Sequence, residues 1–225
     1  MMNSIVISIG GSVILSKEAD VSYLKKLSNL LLKIANNYKV FIIVGGGNIA
    51  RRYIKLGREL AFDEDSLDLI GIDITRVNAR ILTNLLKVAN KEIPHTTKEA
   101  LNSKNSIVVM GGTTPGHSTD LVGAELAEKV GAQLFIIATN VDGVYDKDPN
   151  KYPDAKQLKN VSIDQLVREH GTDWESAGKN TVIDGPALSI IQQSKIPTVI
   201  VNGKRLDQLE NAMTNQSFIG TTILM

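Results

Sequence analysis

A chain of 225 residues with 43% hydrophobic and 22% charged residues can bury a substantial core, and this composition excludes a disordered, collagenous or wholly coiled-coil protein. Lys and Arg number 25 against 24 Asp and Glu, so the net charge of +1 creates no global field for nucleic acid or an anionic membrane; any anion site must be local. The absence of cysteine removes disulfides, zinc–thiolate sites, iron–sulfur clusters and thiol nucleophiles.

The N-terminal stretch MMNSIVISIGGSVI has no basic n-region, and Ser8, Gly10 and Gly11 break its apolar run. A cytoplasmic protein without a signal peptide is expected. Ile5 to Ile9 reads as a first buried strand that runs into Gly10-Gly11-Ser12. After Asp20, residues Val21, Leu24, Leu27, Leu31 and Ile34 recur at helical period. Val40 to Val44 is a second strand, entering Gly45-Gly46-Gly47-Asn48, and Ile70, Ile74, Val77, Ile81, Leu85 and Val88 predict a long amphipathic helix. Ile107 to Met110 runs into Gly111-Gly112-Thr113-Thr114-Pro115-Gly116-His117-Ser118-Thr119-Asp120. The helix that follows presents Leu121, Ala124, Leu126 and Ala127, with Thr119 and Asp120 as its expected cap.

Leu134 to Ala138 is a fourth strand, and the longest nearly apolar run, Gln133 to Thr139, is far short of the roughly 20 residues needed to span a membrane. Residues 140–160 carry Asp-Gly, Asp-Pro and Tyr-Pro turn signals and read as a hairpin or lid-like excursion, with closure expected over Asp142 to Asp154. A helix begins near Asp184, and Thr198 to Val201 and Thr222 to Leu224 are the last strands. Strands alternating with helices predict an α/β fold with a mostly parallel sheet covered on both faces, whose ligands collect beyond the carboxyl ends of the strands. With no repeat and no low-complexity linker, residues 1–225 are expected to form one domain whose halves share a sheet.

Glycine at those strand ends lets the backbone approach a ligand and aim successive N–H groups at it, which suits phosphate, although a βα turn can carry a glycine for geometry alone. Gly45 to Ala50 fits G-x-G-x-x-A, but a dinucleotide site needs an acid ending the following strand, and Asp68 instead precedes the Ile70 to Val88 pattern. Gly111 to Ser118 matches a P-loop except that His117 replaces the lysine. Asp120 reads equally as a cap or as a catalytic carboxylate. Arg51 and Arg52 fall early in a helix opening on a glycine loop, where a guanidinium can fold back to phosphate or stay solvated. His95 and His170 have no second ligand at metal spacing, a G-x-S-x-G elbow is absent, and Trp174 reads as a local packing anchor.

Five ordered pieces then carry a resemblance: IGGSVI at 9–14, VGGGNIARRYI at 44–54, DLIGIDITRVNA at 68–79, MGGTTPGHSTD at 110–120 and TNVDGVYDKDP at 139–149. The chain resembles the amino acid kinase family, in particular its archaeal UMP kinase branch, from Ile5 to Leu224. The resemblance implies a three-layer αβα sandwich and transfer of the ATP γ-phosphate to UMP, giving UDP and ADP in pyrimidine nucleotide biosynthesis. It places Gly10, Gly11 and Ser12 against the phosphates being exchanged, Gly46 at UMP, and Gly47 and Arg51 at ATP, the N-terminal half being mainly the UMP side. Asp68 then reads the UMP sugar hydroxyls, and Thr114, Pro115, Gly116, His117, Ser118, Thr119 and Asp120 wrap uracil and nucleotide. Thr139, Asn140, Tyr145 and Asp148 hold adenine and ribose, and Asp120 orients the transfer centre directly or through Mg²⁺.

Most of the family carries a lysine just before the first glycine pair, whereas Val6-Ile7-Ser8-Ile9 has none, an absence that the archaeal branch shares. Lys179 is a candidate replacement or a loop lysine, and Asp184 is either a nucleotide-site aspartate or a cap. The family also implies a homohexamer of dimers, to which the Ile70 to Val88 helix can contribute, and feedback inhibition by UTP. The alternatives are a relative that phosphorylates a carboxylate or carbamate, and a nucleotide-binding module without catalysis.

Overall fold

The computed structural model describes residues 2–15, 20–149, 151–173 and 183–225. Trp174 and Lys179 lie outside them. The strands are β1 (Ser4–Ile9), β2 (Lys39–Val44), β3 (Ile107–Met110), β4 (Leu134–Thr139), β5 (Asn160–Ser162), β6 (Thr198–Asn202) and β7 (Gly220–Leu224). They form one sheet in the order β3-β2-β1-β4-β6-β7-β5, parallel at every pairing except β6 with β7. The helices are α1 (Gly11–Ile14), α2 (Val21–Ile34), α3 (Gly47–Glu59), α4 (Glu64–Leu85), α5 (Thr97–Asn102), α6 (Thr119–Val130), α7 (Ile163–His170), α8 (Gly185–Ser194) and α9 (Leu206–Met213).

The β-branched runs are buried on both faces because helices cover both, as a parallel sheet requires. Alternation along β1 sends Ile5, Ile7 and Ile9 to one layer, where they meet α2, α9 and the inner residues Ala79 and Leu82 of α4. Val6 faces the opposite layer with Phe41, Val108 and Phe135, against α6, α7 and α8. Helix α3 joins α4 through a smaller cluster of Ala50, Ile54 and Leu67. The result is the expected three-layer αβα sandwich. Register then aligns the strand ends: Ile9 pairs with both Val44 and Ala138, Ile43 with Met110, and Ala138 with Val201. The loops leaving β3, β2, β1 and β4 therefore start along one line.

Four local features depart from the expectations. Helix α4 starts at Glu64 because the Asp63 side chain accepts from Ser66 N, with Glu64 and Asp65 favourable in the first turn, so Asp68 lies inside the helix and not ahead of it. It ends at Leu85, short of Val88, because the chain beyond it is drawn to the sheet edge: Ala89 bridges Ile107, and Asn90 exchanges two hydrogen bonds with Val109. The cap of α6 is Ser118, which accepts from Leu121 N, and not Thr119 or Asp120. Short β5 was not legible in the polar excursion that precedes it; it exists by pairing with β7. The excursion itself folds back as expected, with Tyr145 bridging Gln157 and Leu158 N donating to Val144 O at 2.8 Å. Among the described residues no helix is long and apolar enough to cross a membrane.

Candidate active site

The first two glycine loops touch through main chain. A Cβ on Gly11 would lie 2.3 Å from Gly45 O and 2.4 Å from Gly47 N, so no side chain can stand there. Gly47, with φ of +65°, opens α3 in a conformation that L side chains rarely adopt. The cap position of α3, Gly46, offers no side-chain hydrogen bond and the first turn holds no acid. Its leading N–H groups and the positive end of the helix dipole are thus available to an anion.

Beside this junction opens a cleft of about 210 Å³. Gly46, Gly47, Ala50, Arg51 and Ile54 form one wall; Asp68, Gly71, Ile72 and Thr75 of α4 form the second; Gly112, Thr114, His117, Ser118 and Thr119 form the third. Asp68 Oδ2 accepts from Gly116 N at 2.6 Å, which ties the β3–α6 loop to α4. Arg51 Nη2 donates to Asn48 Oδ1 at 2.6 Å. The structure therefore gathers most of the expected acceptor-side residues into one cleft, with Gly116 at its rim and Pro115 beside it in the same loop. Gly10, Gly11 and Ser12 adjoin through the Gly11 contact, where Gly10 N also donates to Ala138 O at 2.9 Å.

Behind the cleft lies a network of carboxylates and hydroxyls. Ser8, 2% exposed and on the α6 face of β1, donates from Oγ to Asp120 Oδ1 at 2.5 Å. Ser118 Oγ donates to Asp184, whose other oxygen accepts from Ala187 N and caps α8. Burial, and then the Asp184 charge, pushes the Asp120 carboxyl up to about 7 against a partial opposing pull from Ser8. Burial likewise raises Asp184, opposed by its hydrogen bonds to Ser118 and Ala187. A cation arriving beside this pair would favour its ionised form.

The four residues expected around adenine and ribose do not line this cleft; they occupy the adjoining β4 loop and hairpin. Thr139 ends β4 and its carbonyl accepts from Gly203 N at 2.8 Å, Asn140 is exposed, and Tyr145 forms the hairpin bridge. Asp148 pairs with Lys151 at 3.5 Å. Asp142 on the same loop is held by Asn202 at 3.0 Å and lies 3.7 Å from Arg205. Burial, followed by the Asp142 charge, raises the Tyr145 hydroxyl.

Ser8 went unassigned in the sequence; its signal is a polar residue at an inward position of a buried strand. Thr75, Arg76 and Asn78 also went unassigned. They reach the glycine loops from α4, through Gly112 N to Thr75 Oγ1, Arg76 to Gly112 O and Thr113 O, and Asn78 to Gly45 O.

A glycine-lined helix start thus faces one carboxylate on a neighbouring helix, with a third loop closing the cleft. The family model for the amino acid kinase family matches residues 3–202. The uridylate kinase of Methanobrevibacter smithii is 41% identical over 223 residues, 98% of each chain. That of Thermoplasma volcanium is 44% identical over 225 residues, covering 99% of this chain and 98% of its own. Among solved structures, the uridylate kinase of Archaeoglobus fulgidus superposes with a TM-score of 0.85 at 39% identity, covering 98% of this chain and 100% of its own. A family model spanning nearly the whole chain and relatives this similar over almost all of it leave one conclusion, that the chain belongs to the amino acid kinase family.

Proposed function

We propose that this chain transfers the γ-phosphoryl group of ATP to UMP, producing UDP and ADP in pyrimidine nucleotide synthesis. The observation that carries the reading is the cleft in which Asp68 and the Thr114–Thr119 loop face the glycine-built start of α3. A sugar held by the carboxylate directs its phosphate at the Gly46–Gly47 junction. The relatives named uridylate kinase support the acceptor. In the reaction, a UMP phosphate oxygen attacks the γ-phosphorus as the bond to the bridging oxygen of ADP breaks, so the protein supplies alignment and charge neutralisation without a covalent nucleophile. Thr139, Asn140, Tyr145 and Asp148 hold the donor nucleotide beside the cleft.

Mg²⁺ is held in such sites by one or two carboxylates together with substrate phosphates. Asp120, backed by Asp184, fits that donor set, and no group of three or more His, Asp or Glu among the described residues offers a cage of its own. When bound, the ion neutralises phosphate charge. UTP shares the uracil and ribose of UMP and is expected to compete for the same cleft. Assembly into the homohexamer of the family has two exposed apolar stripes to draw on: Ile49, Tyr53 and Leu56 of α3 with Leu60 at its C-cap, and Leu69, Val77, Ile81 and Leu85 of α4.

The test is ADP release with MgATP and equal concentrations of UMP, CMP, AMP, acetylglutamate or no acceptor, with UTP added in a parallel series. Turnover with UMP and inhibition by UTP are expected; turnover with acetylglutamate alone, or with no acceptor, overturns the reading. Sedimentation of the same sample should show an oligomer, and a monomer at micromolar concentration removes the assembly from it. Asp68→Asn should raise the UMP KM about 10-fold or more with the ATP KM unchanged, because the amide can still accept from Gly116 N but has lost a sugar-facing acceptor. Equal UMP KM values for variant and parent contradict the role of Asp68.

A further inference from the structure

The loop Gly45-Gly46-Gly47 has no side chain of its own with which to set its orientation. Helix α4 supplies one. Asn78, 1% exposed, donates from Nδ2 to Gly45 O at 2.8 Å and to Gly46 O at 3.4 Å. Two residues earlier, Arg76 donates from Nε to Gly112 O at 3.3 Å and from Nη2 to Thr113 O at 3.2 Å. Thr75 Oγ1 accepts from Gly112 N at 2.7 Å while donating to Ile72 O at 2.6 Å.

We propose that Asn78 and Arg76 are positioning residues for the phosphoryl transfer, acting by turning the main-chain N–H groups of Gly46–Gly47 and of Thr113–Thr114 toward the bound nucleotides. A trans peptide places each carbonyl opposite the N–H of the next residue, and the described residues contain no cis bond. With the Gly45 carbonyl drawn to Asn78, and the Gly46 carbonyl shared between Asn78 and Ala50 N of α3, the N–H groups of Gly46 and Gly47 point away from those partners. Gly46 and Gly47 both line the cleft on which those N–H groups are needed. Likewise, drawing Gly112 O and Thr113 O to the guanidinium turns Thr113 N–H and Thr114 N–H away from it, and Thr114 lines the cleft.

Donors fixed in advance stabilise charge developing on phosphate without reorganisation during the reaction, whereas a glycine loop left free must be ordered each time. The two residues have separable signatures. Asn78 governs the loop shared by both nucleotides, and Arg76 governs the loop on the acceptor side alone. Its planar fork engages the two carbonyls through separate, rigidly spaced nitrogens, a geometry that the single flexible ammonium of lysine does not reproduce.

The inference rests on the proposed UMP kinase activity, and the experiment keeps the two apart. Steady-state kinetics and thermal unfolding are compared for Asn78→Ala, Asn78→Asp, Arg76→Lys and Leu82→Ala, the last removing a fully buried core side chain from the same helix. Asn78→Ala should lower kcat about 100-fold with smaller changes in either KM. Asn78→Asp keeps the volume but removes both donors, and should lose at least as much should the alanine variant fold poorly. Arg76→Lys should raise the UMP KM about 5-fold and leave the ATP KM unchanged. Leu82→Ala should reduce thermal stability with kcat within about 2-fold of the parent.

An Asn78 variant with kcat within about 3-fold of the parent, or a Leu82→Ala loss equal to that of Asn78→Ala, overturns the proposal. Spectra of ¹⁵N-glycine-labelled protein supply a readout that does not need turnover. ATP and UMP should shift the Gly46 and Gly47 amide signals in the parent but not in Asn78→Ala. If the parent shows this response without turning over UMP, the activity fails and the positioning role stands; equal shifts in parent and variant reject the positioning role.

Discussion

Asp120→Asn is expected to lower kcat by at least about 1,000-fold and, in the unliganded protein, to flatten the dependence of folding stability on pH. Both effects come from one carboxyl placed in the sheet-facing layer beside Ser8 and near Asp184. Burial and the neighbouring carboxylate raise it from an ordinary 3.8 to about 7. Between those values the folded chain binds more protons than the unfolded chain, so its stability is full below the ordinary value, falls as pH rises through the window, and levels off above about 7. A neutral amide removes that slope.

At pH 8 the variant should be more stable than the parent by roughly 2 kcal/mol, after allowance for partial solvent access, and the two should converge near pH 4. A residual slope from Asp184 remains, because its own burial raises it independently of Asp120. Activity moves the opposite way. The ionised form serves substrate phosphates and their cation, so kcat/KM of the parent should rise with pH to a plateau above about 7, a limb the variant lacks. Denaturant unfolding from pH 4 to 8 and an activity profile over the same range check this. Parallel stability curves for parent and variant, or a variant retaining a tenth of the parent kcat, contradict it.

What the sequence made legible and what it hid follow from how local each cause is. The strand runs at Ile5–Ile9, Val40–Val44, Ile107–Met110 and Leu134–Ala138 are β-branched and unbroken, so each is read on its own, and glycine at their ends marks the cleft edge. The α6 cap is different. Ser118, Thr119 and Asp120 are adjacent and all can cap, and the choice is made by Ser8, which engages Asp120 across 112 residues of chain. Strand β5 is only Asn160-Val161-Ser162, with Asn160 exposed and Val161 alone buried, and depends on β7 for its pairing. The apolar spacing of α4 marks its middle, while Asp63 and the Ala89 bridge set its ends. Arg76 and Asn78 carry no local signal for the same reason: they act on loop carbonyls more than 30 positions away, a relation that only the packed helix creates.

Arg51→Ala should lower kcat by about 100-fold or more while weakening nucleotide binding less than about 3-fold and leaving thermal stability nearly unchanged. Arg51 sits in the early turns of α3, lines the cleft and is exposed, its Nη2 held only by neighbouring Asn48 among the described residues. An exposed guanidinium with so small a partner contributes little to folding. Its charge matters elsewhere. Strand β1 carries Ser8 at the approach to the glycine pair and no lysine, so among the described residues lining the cleft Arg51 is the permanent cation. Charge spreading over the transferring phosphoryl oxygens then falls to Arg51, the loop N–H groups and the metal ion. Arg51→Lys restores a charge without the planar fork and should recover about 10-fold of the loss. Turnover at saturating substrates, set against nucleotide affinity by calorimetry, separates the roles. Equal and small losses in both would make Arg51 a solvated surface residue, and the neutralising charge would have to come from outside this cleft.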